Sequence, residues 1–536
     1  GLGASVWYPG KDHQSDEPDD GAALHITVTD SLQAIGNGRL RDVVSNGDGT
    51  STWNWKVTQP INTYNLVPYI GRYAHFNEVY NGLDGPLDCD YWVLAANEAK
   101  AREQFKQVPA MLNCFEDHFG PYPFYKDGYK LVEAPHLGME HQSAIAYGNG
   151  FRNGYLGKDL SGTGVGLKWD FIIVHESGHE WFGNSITTAD IADMWVHEGF
   201  TNYSETIFTE CQQGKEAAER YVQGCRRNIA NDKPIIGPYG VNQEGSGDMY
   251  YKGASLLHMI RQFTGDSTFH AMLREMHVRF RHKVTTSAEV ERFISTFCGM
   301  DLTKVFDQYL RTTKVPELQW TIRNGLLWTR WANTVPDLKM PVRITVGGQP
   351  QRTISVGTAW SAHPGKIAED ATLTAEPQQS VFGCALKKTI LSGVTVHYAF
   401  LNASFLNDYH QERITRFWTL YCQQAGGVLA TFCADAVLAF RRAKDNIQQP
   451  CLAAHLDLAD TKIEMRQVLR RSVITSRAVT NDVGRVNTTA ELPNVTTVSV
   501  TAALNASAST LATVREPIAD QTAVPLTALS TRGGTD

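Results

Sequence analysis

One short run constrains this chain more than any other: Phe171-Ile172-Ile173-Val174-His175-Glu176-Ser177-Gly178-His179, in which two histidines four residues apart close an apolar stretch. On a buried helix that spacing sets the two imidazoles one above the other on one face, where both reach a single Zn2+ at about 2.0 to 2.1 Å. Glu176, one residue on, is turned about 100° around the axis. It is placed to act on a metal-held water as general base rather than to join the ligands. A helix with two satisfied core histidines is the plain alternative, so the reading requires a third ligand. Gly183-Asn184 is a helix-stop signal, and the chain restarts through Asp190 and Asp193 into Met194-Trp195-Val196-His197-Glu198. Glu198 lies 19 positions after His179, with room for a loop that returns a second helix antiparallel to the first. His175, His179 and Glu198 would leave a fourth position open for water and a net positive charge to polarise a carbonyl.

The rest of the chain supplies a setting for such a site. From 1 to about 97 the pattern is strand and turn: His25 to Thr29 alternates, Trp53, Trp55 and Val57 share a face, and Asn46-Gly47 and Asp48-Gly49 mark tight turns between them. From about 98 to 315 helical periodicity dominates, as in Ala101 to Phe105 and Tyr251 to Phe263. Strand signals return at Leu318 to Ile322, separated by Asn324-Gly325 from Leu326 to Thr329, and Met340, Val342, Ile344 and Val346 alternate, so 316–375 reads as a small β domain. Beyond Pro377 organisation weakens. Gln411 to Ala425 fits one helix, but Phe 22, Tyr 20 and Trp 12 all lie at or before Phe440, and 471–536 is dominated by Ala, Thr, Val and Ser. Without large apolar groups to offset ordering entropy, a weakly structured tail is expected there, and 376–536 stays unassigned.

Composition removes whole classes of function. Of 536 residues 42% are hydrophobic and 20% charged, and no run approaches the apolar length of a membrane span. A net charge of −7 gives no basic footprint for nucleic acid. Cys89, Cys114, Cys211, Cys225, Cys298, Cys384, Cys422, Cys433 and Cys451 are an odd number without metal-ligand spacing, so free thiols are the default expectation, with one or two disulfides the alternative for a secreted chain. The chain opens at Gly1-Leu2-Gly3 with neither initiator Met nor leader, which reads as processed or cut from something longer and leaves the compartment open, cytoplasmic or exported.

Three motifs in order over 138–253 resemble the gluzincin zinc aminopeptidases, the family of membrane alanyl aminopeptidase and leukotriene hydrolase. H-E-x-x-H followed by 18 residues and Glu is the family's zinc pattern; Gly138-Met139-Glu140-His141 is similar to its G-x-M-E-N exopeptidase motif, and Tyr250-Tyr251-Lys252-Gly253 to its Y-x-K-G element. Trp181 to Asn184 and Glu198-Gly199-Phe200 are similar to the family's text around the ligands. The resemblance implies an α+β multidomain chain: a partial N-terminal β domain (1–97), a thermolysin-like, mainly helical catalytic domain (98–315) and the small β domain (316–375). It implies one Zn2+ per chain on His175, His179 and Glu198, and catalysis by Glu176 and Tyr250. Peptides with a free N-terminus are the implied substrates, held by Gly138, Met139 and Glu140.

Physical chemistry fits those roles. A Glu140 carboxylate pairs with an α-ammonium, and a Tyr250 phenol donates a hydrogen bond to a developing oxyanion. The register set by Lys252 and Gly253 selects Tyr250 over Tyr251. Glu205, seven after Glu198 and on its helical face, is read as supporting a ligand, and Asn184 as a structural cap. His141 and His197 stand where the family has Asn and are read as pocket residues rather than ligands. Trp7-Tyr8-Pro9 and Lys11-Asp12 resemble a point well inside the family's first β domain, so its earlier strands and a substrate-facing glutamine fall outside this sequence. Two rivals stay open: another zinc hydrolase, endopeptidase or epoxide-opening, and a binding or scaffold protein with impaired catalysis.

Overall fold

The computed structural model describes residues 4–368, 371, 373–375, 385–388, 485–492 and 495–503. It divides into two compact units, 1–314 and 315–536. The first is a mixed α/β body whose sheets lie mainly in the first half of its sequence and its longer helices in the second.

Its front is built from β1 (Ala22–Thr29), β2 (Gln33–Ile35), β3 (Arg39–Ser45), β4 (Thr50–Val57) and β5 (Tyr69–Gly71). β1, β4 and β3 form an antiparallel sheet in that order, and β2 pairs with β5. The turn between β3 and β4 is carried by Gly47 and Gly49, both at positive φ, which only glycine adopts without strain. A second sheet takes β6 (Tyr73–Gly82) and β7 (Gly85–Leu94), and after the helices α1 (Glu98–Gln104) and α2 (Val108–Phe119) it continues with β8 (Tyr129–Glu133), β9 (Gly138–Met139) and β10 (Ile145–Tyr147). Its order is β6-β7-β8-β10-β9, so one sheet runs across position 97, with β9 antiparallel at its edge. Leu24, Ile35, Trp55, Tyr69, Trp92, Val132 and Ala146 pack into one core that joins these sheets.

The helical part contains α3 (Phe171–Gly178), a short strand β11 (Ile186–Thr188), then α4 (Trp195–Gln213), α5 (Lys215–Cys225), α6 (Tyr251–Thr264) and α7 (Asp266–Phe280). α3 starts where Asp170 caps it, its carboxylate accepting from the Ile172 and Ile173 amides at 3.0 and 3.3 Å. It ends earlier than the expected stop at Gly183-Asn184. Glu180 and Trp181 bond back only three residues, to Ser177 and Gly178, so the last turn tightens while His179 keeps helical angles (φ −64°, ψ −21°).

The second unit opens with β12 (Glu317–Arg323) and β13 (Leu326–Ala332), joined through Asn324 and Gly325 at φ 51° and 71°, the two-residue hairpin turn those residues favour. β14 (Met340–Val346) buries every second residue and pairs with β15 (Arg352–Val356). Leu318, Trp320, Leu327, Ile344 and Val356 share its core. In the region expected to be weakly structured, residues 485–492 and 495–503 pair as an antiparallel hairpin. The helix read at 411–425 and the remainder of the tail lie outside the described residues.

The expectation of free thiols is corrected at one pair. Cys114 on α2 and Cys211 on α4, 97 residues apart in sequence, form a disulfide across a Cα–Cα distance of 6.1 Å. Helix packing brings together what sequence separation hides. Cys89, Cys225 and Cys298 are free thiols.

Candidate metal centre and substrate cavity

Two close helix crossings set the site. α4 lies against α6 at a pair of glycines: a Cβ on Gly253 would sit 3.0 Å from the Gly199 Cα, and one on Gly199 3.2 Å from the Gly253 Cα. α4 also lies against α3, where a Cβ on Gly178 would meet the Ser204 hydroxyl at 2.5 Å. The residues beside these glycines are Glu198 on α4, His175 and His179 at the end of α3, and Tyr250 at the start of α6.

His175 Nδ1 bonds Glu205 Oε1 at 2.7 Å, and His179 Nδ1 bonds the Phe182 carbonyl at 2.9 Å. Acceptors on both Nδ1 atoms fix those nitrogens as N–H donors and leave both Nε2 lone pairs free. The two Nε2 atoms lie 3.5 and 3.3 Å from Glu198 Oε2. That oxygen is buried and makes no hydrogen bond among the described residues. A buried carboxylate oxygen without a partner, facing two imidazole lone pairs, is the donor set of a tetrahedral zinc site with one position open, so these residues fit the ion. Burial pushes the Glu198 carboxyl up, and the His179 and His175 imidazoles outweigh it and hold the group below its usual range.

Glu205 is itself fixed from three sides, by His175, by Asn202 Nδ2 at 2.8 Å and by the Tyr221 hydroxyl at 2.6 Å. Glu176 is buried beside His175 and His179, and burial raises its pKa to about 7. Gly138, on the edge strand β9, explains the close approach of chain and carboxylate: a Cβ there would lie 2.5 Å from Glu176 Oε1. Two residues on, Glu140 is buried and accepts at Oε1 from the Tyr64 hydroxyl at 3.1 Å. Its backbone carbonyl accepts from Asn184 Nδ2 at 2.7 Å, and Asn184 Oδ1 in turn accepts from Asn65 Nδ2 at 2.8 Å. Asn184 is thus no helix cap; the turn at Gly183 (φ 130°) aims it at the segment that presents Glu140.

A cavity of about 560 Å³ joins these groups, lined among others by Met139, Glu140, Glu176, Glu198, Tyr64 and Tyr250. The Tyr250 ring lies 6.0 Å from the His175 ring, and burial with the nearby Glu198 carboxylate raises its phenol far above the ordinary value, so it remains a donor. Tyr251 is not among the lining residues, and burial beside Cys225 and Glu205 raises its phenol. His141 bonds the Tyr69 hydroxyl through Nδ1 at 2.7 Å. His197 Nε2 accepts from the Thr188 amide at 2.8 Å, which occupies the lone pair a metal would need. Burial pushes both imidazoles down to about 3.

Sequence reasoning missed Tyr64, Asn65 and Tyr221. Tyr64 sits on a single turn, Thr63–Asn65, capped by the Asn62 side chain, and no periodic pattern marks it. The segment 11–14 also lines the cavity.

Residues 103–309 match the peptidase family M1 domain. Endoplasmic reticulum aminopeptidase 1 of Mus musculus is 24% identical over 310 residues, covering 55% of this chain and 33% of that protein. Aminopeptidase N of Canis lupus familiaris is 25% identical over 281 residues, covering 47% and 28%. Legionella pneumophila aminopeptidase A, solved in complex with aspartic acid, superposes with a TM-score of 0.58 at 16% identity, over 80% of this chain and 52% of that one, a likeness of fold. The chain spans about a third of the length of the curated relatives it matches. The match to the peptidase family M1 domain lies over both histidines, Glu198 and Tyr250, and the relatives similar to this stretch are aminopeptidases.

Proposed function

We propose that the protein is a zinc-dependent aminopeptidase that removes the first residue of peptides with a free amino terminus. The observation that carries this reading is the pairing of one unpartnered donor set with one anionic anchor in the same cavity: the Nε2 atoms of His175 and His179 facing Glu198 Oε2, and Glu140 beside Glu176. Zinc held by His175, His179 and Glu198 would supply Lewis acidity, polarising a carbonyl and acidifying a water.

The chain's own residues do the rest. Glu140 binds the substrate α-ammonium, a charge-assisted contact contributing about 1.5 to 3 kcal/mol, and sets the first peptide bond beside Glu176. The Glu176 carboxylate takes a proton from the attacking water at one oxygen and delivers it to the leaving amine. Tyr250 donates its phenolic hydrogen to the oxyanion that develops at the first carbonyl; a donor of this kind is typically worth about 3 to 4 kcal/mol in the transition state. Glu205 holds His175 in the tautomer that exposes Nε2. A buried Glu140 without an ammonium partner disfavours amino-blocked peptides.

Free and N-acetylated amino-acid anilides, each with and without a chelator, test the proposal. Cleavage confined to free amines and lost on chelation is expected. Equal cleavage of acetylated substrates, or activity indifferent to chelation and to zinc addition, would overturn it.

A further inference from the structure

Away from the cavity, α2 and α4 bring three soft or borderline ligands to one place, with a histidine of α7 beside them. Cys114 and His118 are four residues apart on α2, Cys211 stands near the end of α4, and His270 lies on α7. The ligand atoms of Cys114, His118 and Cys211 all lie within 4.8 Å of one another. The His270 ring is 4.7 Å from the His118 ring. Along α4, Cys211 is 13 residues beyond Glu198, about 20 Å at 1.5 Å per residue, so the cluster is separate from the candidate centre on α3 and α4.

The two imidazoles are set up as ligands. His118 Nδ1 lies 3.9 Å from Cys211 Sγ and 2.8 Å from the Cys114 carbonyl oxygen one turn earlier, so the ring sits against the cysteine pair. His270 Nδ1 is buried without a hydrogen-bond partner among the described residues. Cys114 is buried, His118 half-buried and Cys211 exposed, so an ion has a route in and a partly desolvated place to rest.

We propose that Cys114, His118, Cys211 and His270 form a second metal site, selective for a thiophilic divalent cation such as Zn2+, that exists when the Cys114–Cys211 pair is reduced and is abolished when the pair is oxidised. Two thiolates and two imidazoles are a Cys2His2 set, tetrahedral and closed, and the two thiolate charges neutralise the dication. In the disulfide form both sulfurs have lost their anionic character, and two imidazoles alone make a weak site. A dithiol reductant opens the pair: two electrons break the S–S bond, the reductant becomes a disulfide, and the two new thiols give up their protons as the ion binds. In the reverse direction a small-molecule disulfide takes the two electrons, consumes two protons, is released as two thiols and frees the ion.

The inference is independent of the peptidase reading and is tested without an activity assay. The full chain, reduced with a phosphine and titrated with Co2+, is examined for thiolate-to-cobalt charge-transfer absorption, in the native sequence and in Cys114→Ser and Cys211→Ser. The cobalt that enters the His/His/Glu centre gives no such band, and the remaining cysteines contribute equally to all three proteins. The native protein is expected to show a band in excess of that of both variants, the excess weakened at least tenfold in apparent affinity by His118→Ala and lost when the disulfide is re-formed with diamide. Spectra that coincide between the native protein and both variants would overturn the proposal, as would a Cys114–Cys211 bond that resists the reductant in the folded protein. Cys211, exposed near a helix end, is the variant least exposed to folding failure.

Discussion

At the scale of single residues the assignment of roles separates chemistry from metal binding. Glu176 touches none of the ligand nitrogens by hydrogen bond, so Glu176→Gln is expected to keep its zinc while kcat falls by about 100-fold or more; zinc content and single-turnover rate measured on one preparation check both halves. Loss of the metal, or near-normal turnover, would contradict the role. Tyr64 makes a different prediction. Its hydroxyl holds one oxygen of Glu140, and in the proposed mechanism the other oxygen takes the substrate amine. Tyr64→Phe is expected to lower kcat/KM for free-amine substrates about 10- to 100-fold, the worth of one hydrogen bond to a charged group, chiefly through KM and with little change in melting temperature. The residues that spacing singles out, His175, His179 and Glu198, are those whose relation follows from the helical period, which turns sequence distance into direction. Tyr64 and Asn184 were not legible in that way. Their partner is Glu140, and only the tertiary path of the chain puts the turn residue Tyr64 and the loop residue Asn184 against it.

At the scale of elements, the crossing of α4 and α6 is the joint that positions both Glu198 and Tyr250, the proposed ligand and oxyanion donor. Gly199 and Gly253 face each other with no room for a methyl group, which accounts physically for the glycines next to Glu198 and two residues after Tyr251. Gly253→Ala would drive the helices apart by a few tenths of an ångström and displace Glu198 relative to the histidines of α3. An expected loss of about 1 to 3 kcal/mol in stability, with a parallel drop in zinc affinity, is measured by chemical denaturation and by competition with a chelator. Retained stability and affinity would show that the crossing yields freely. The elements themselves were largely readable: the alternation in β14 and the Asn-Gly hairpin have one structural solution each. The end of α3 was misread because Gly183-Asn184 carries a stop signal for a helix that had already tightened. The disulfide between α2 and α4 depends on helix packing that no local pattern encodes.

At the scale of the molecule, the first unit is tied from front to back by buried polar groups as well as by its core. Lys130, on β8, is buried, donates to the Gly38 carbonyl just before β3 and stands 5.1 Å over the Trp55 ring. Burial lowers its pKa to about 8. An amine whose folded pKa lies below its unfolded value near 10.5 costs stability while it is charged in the folded state, below about pH 8, and that cost is relieved as pH rises from about 8 to 10.5. The size is on the order of 3 kcal/mol across the window. Lys130→Met is therefore expected to flatten the rise in denaturation free energy between pH 8 and 10; equal slopes in the two proteins would contradict it. Among the described residues no helix is long and apolar enough to cross a membrane.

The central claim, one metal site coupled to one amine anchor, is tested most directly by following the products of an unblocked hexapeptide and its N-acetylated twin by mass spectrometry, with the native chain and with Glu140→Ala. The account predicts stepwise loss of single residues from the free peptide, no cleavage of the acetylated one, and a loss of about 10- to 100-fold in kcat/KM for the variant on the free peptide. Internal cleavage of both peptides at similar rates, unaffected by Glu140→Ala, would contradict it.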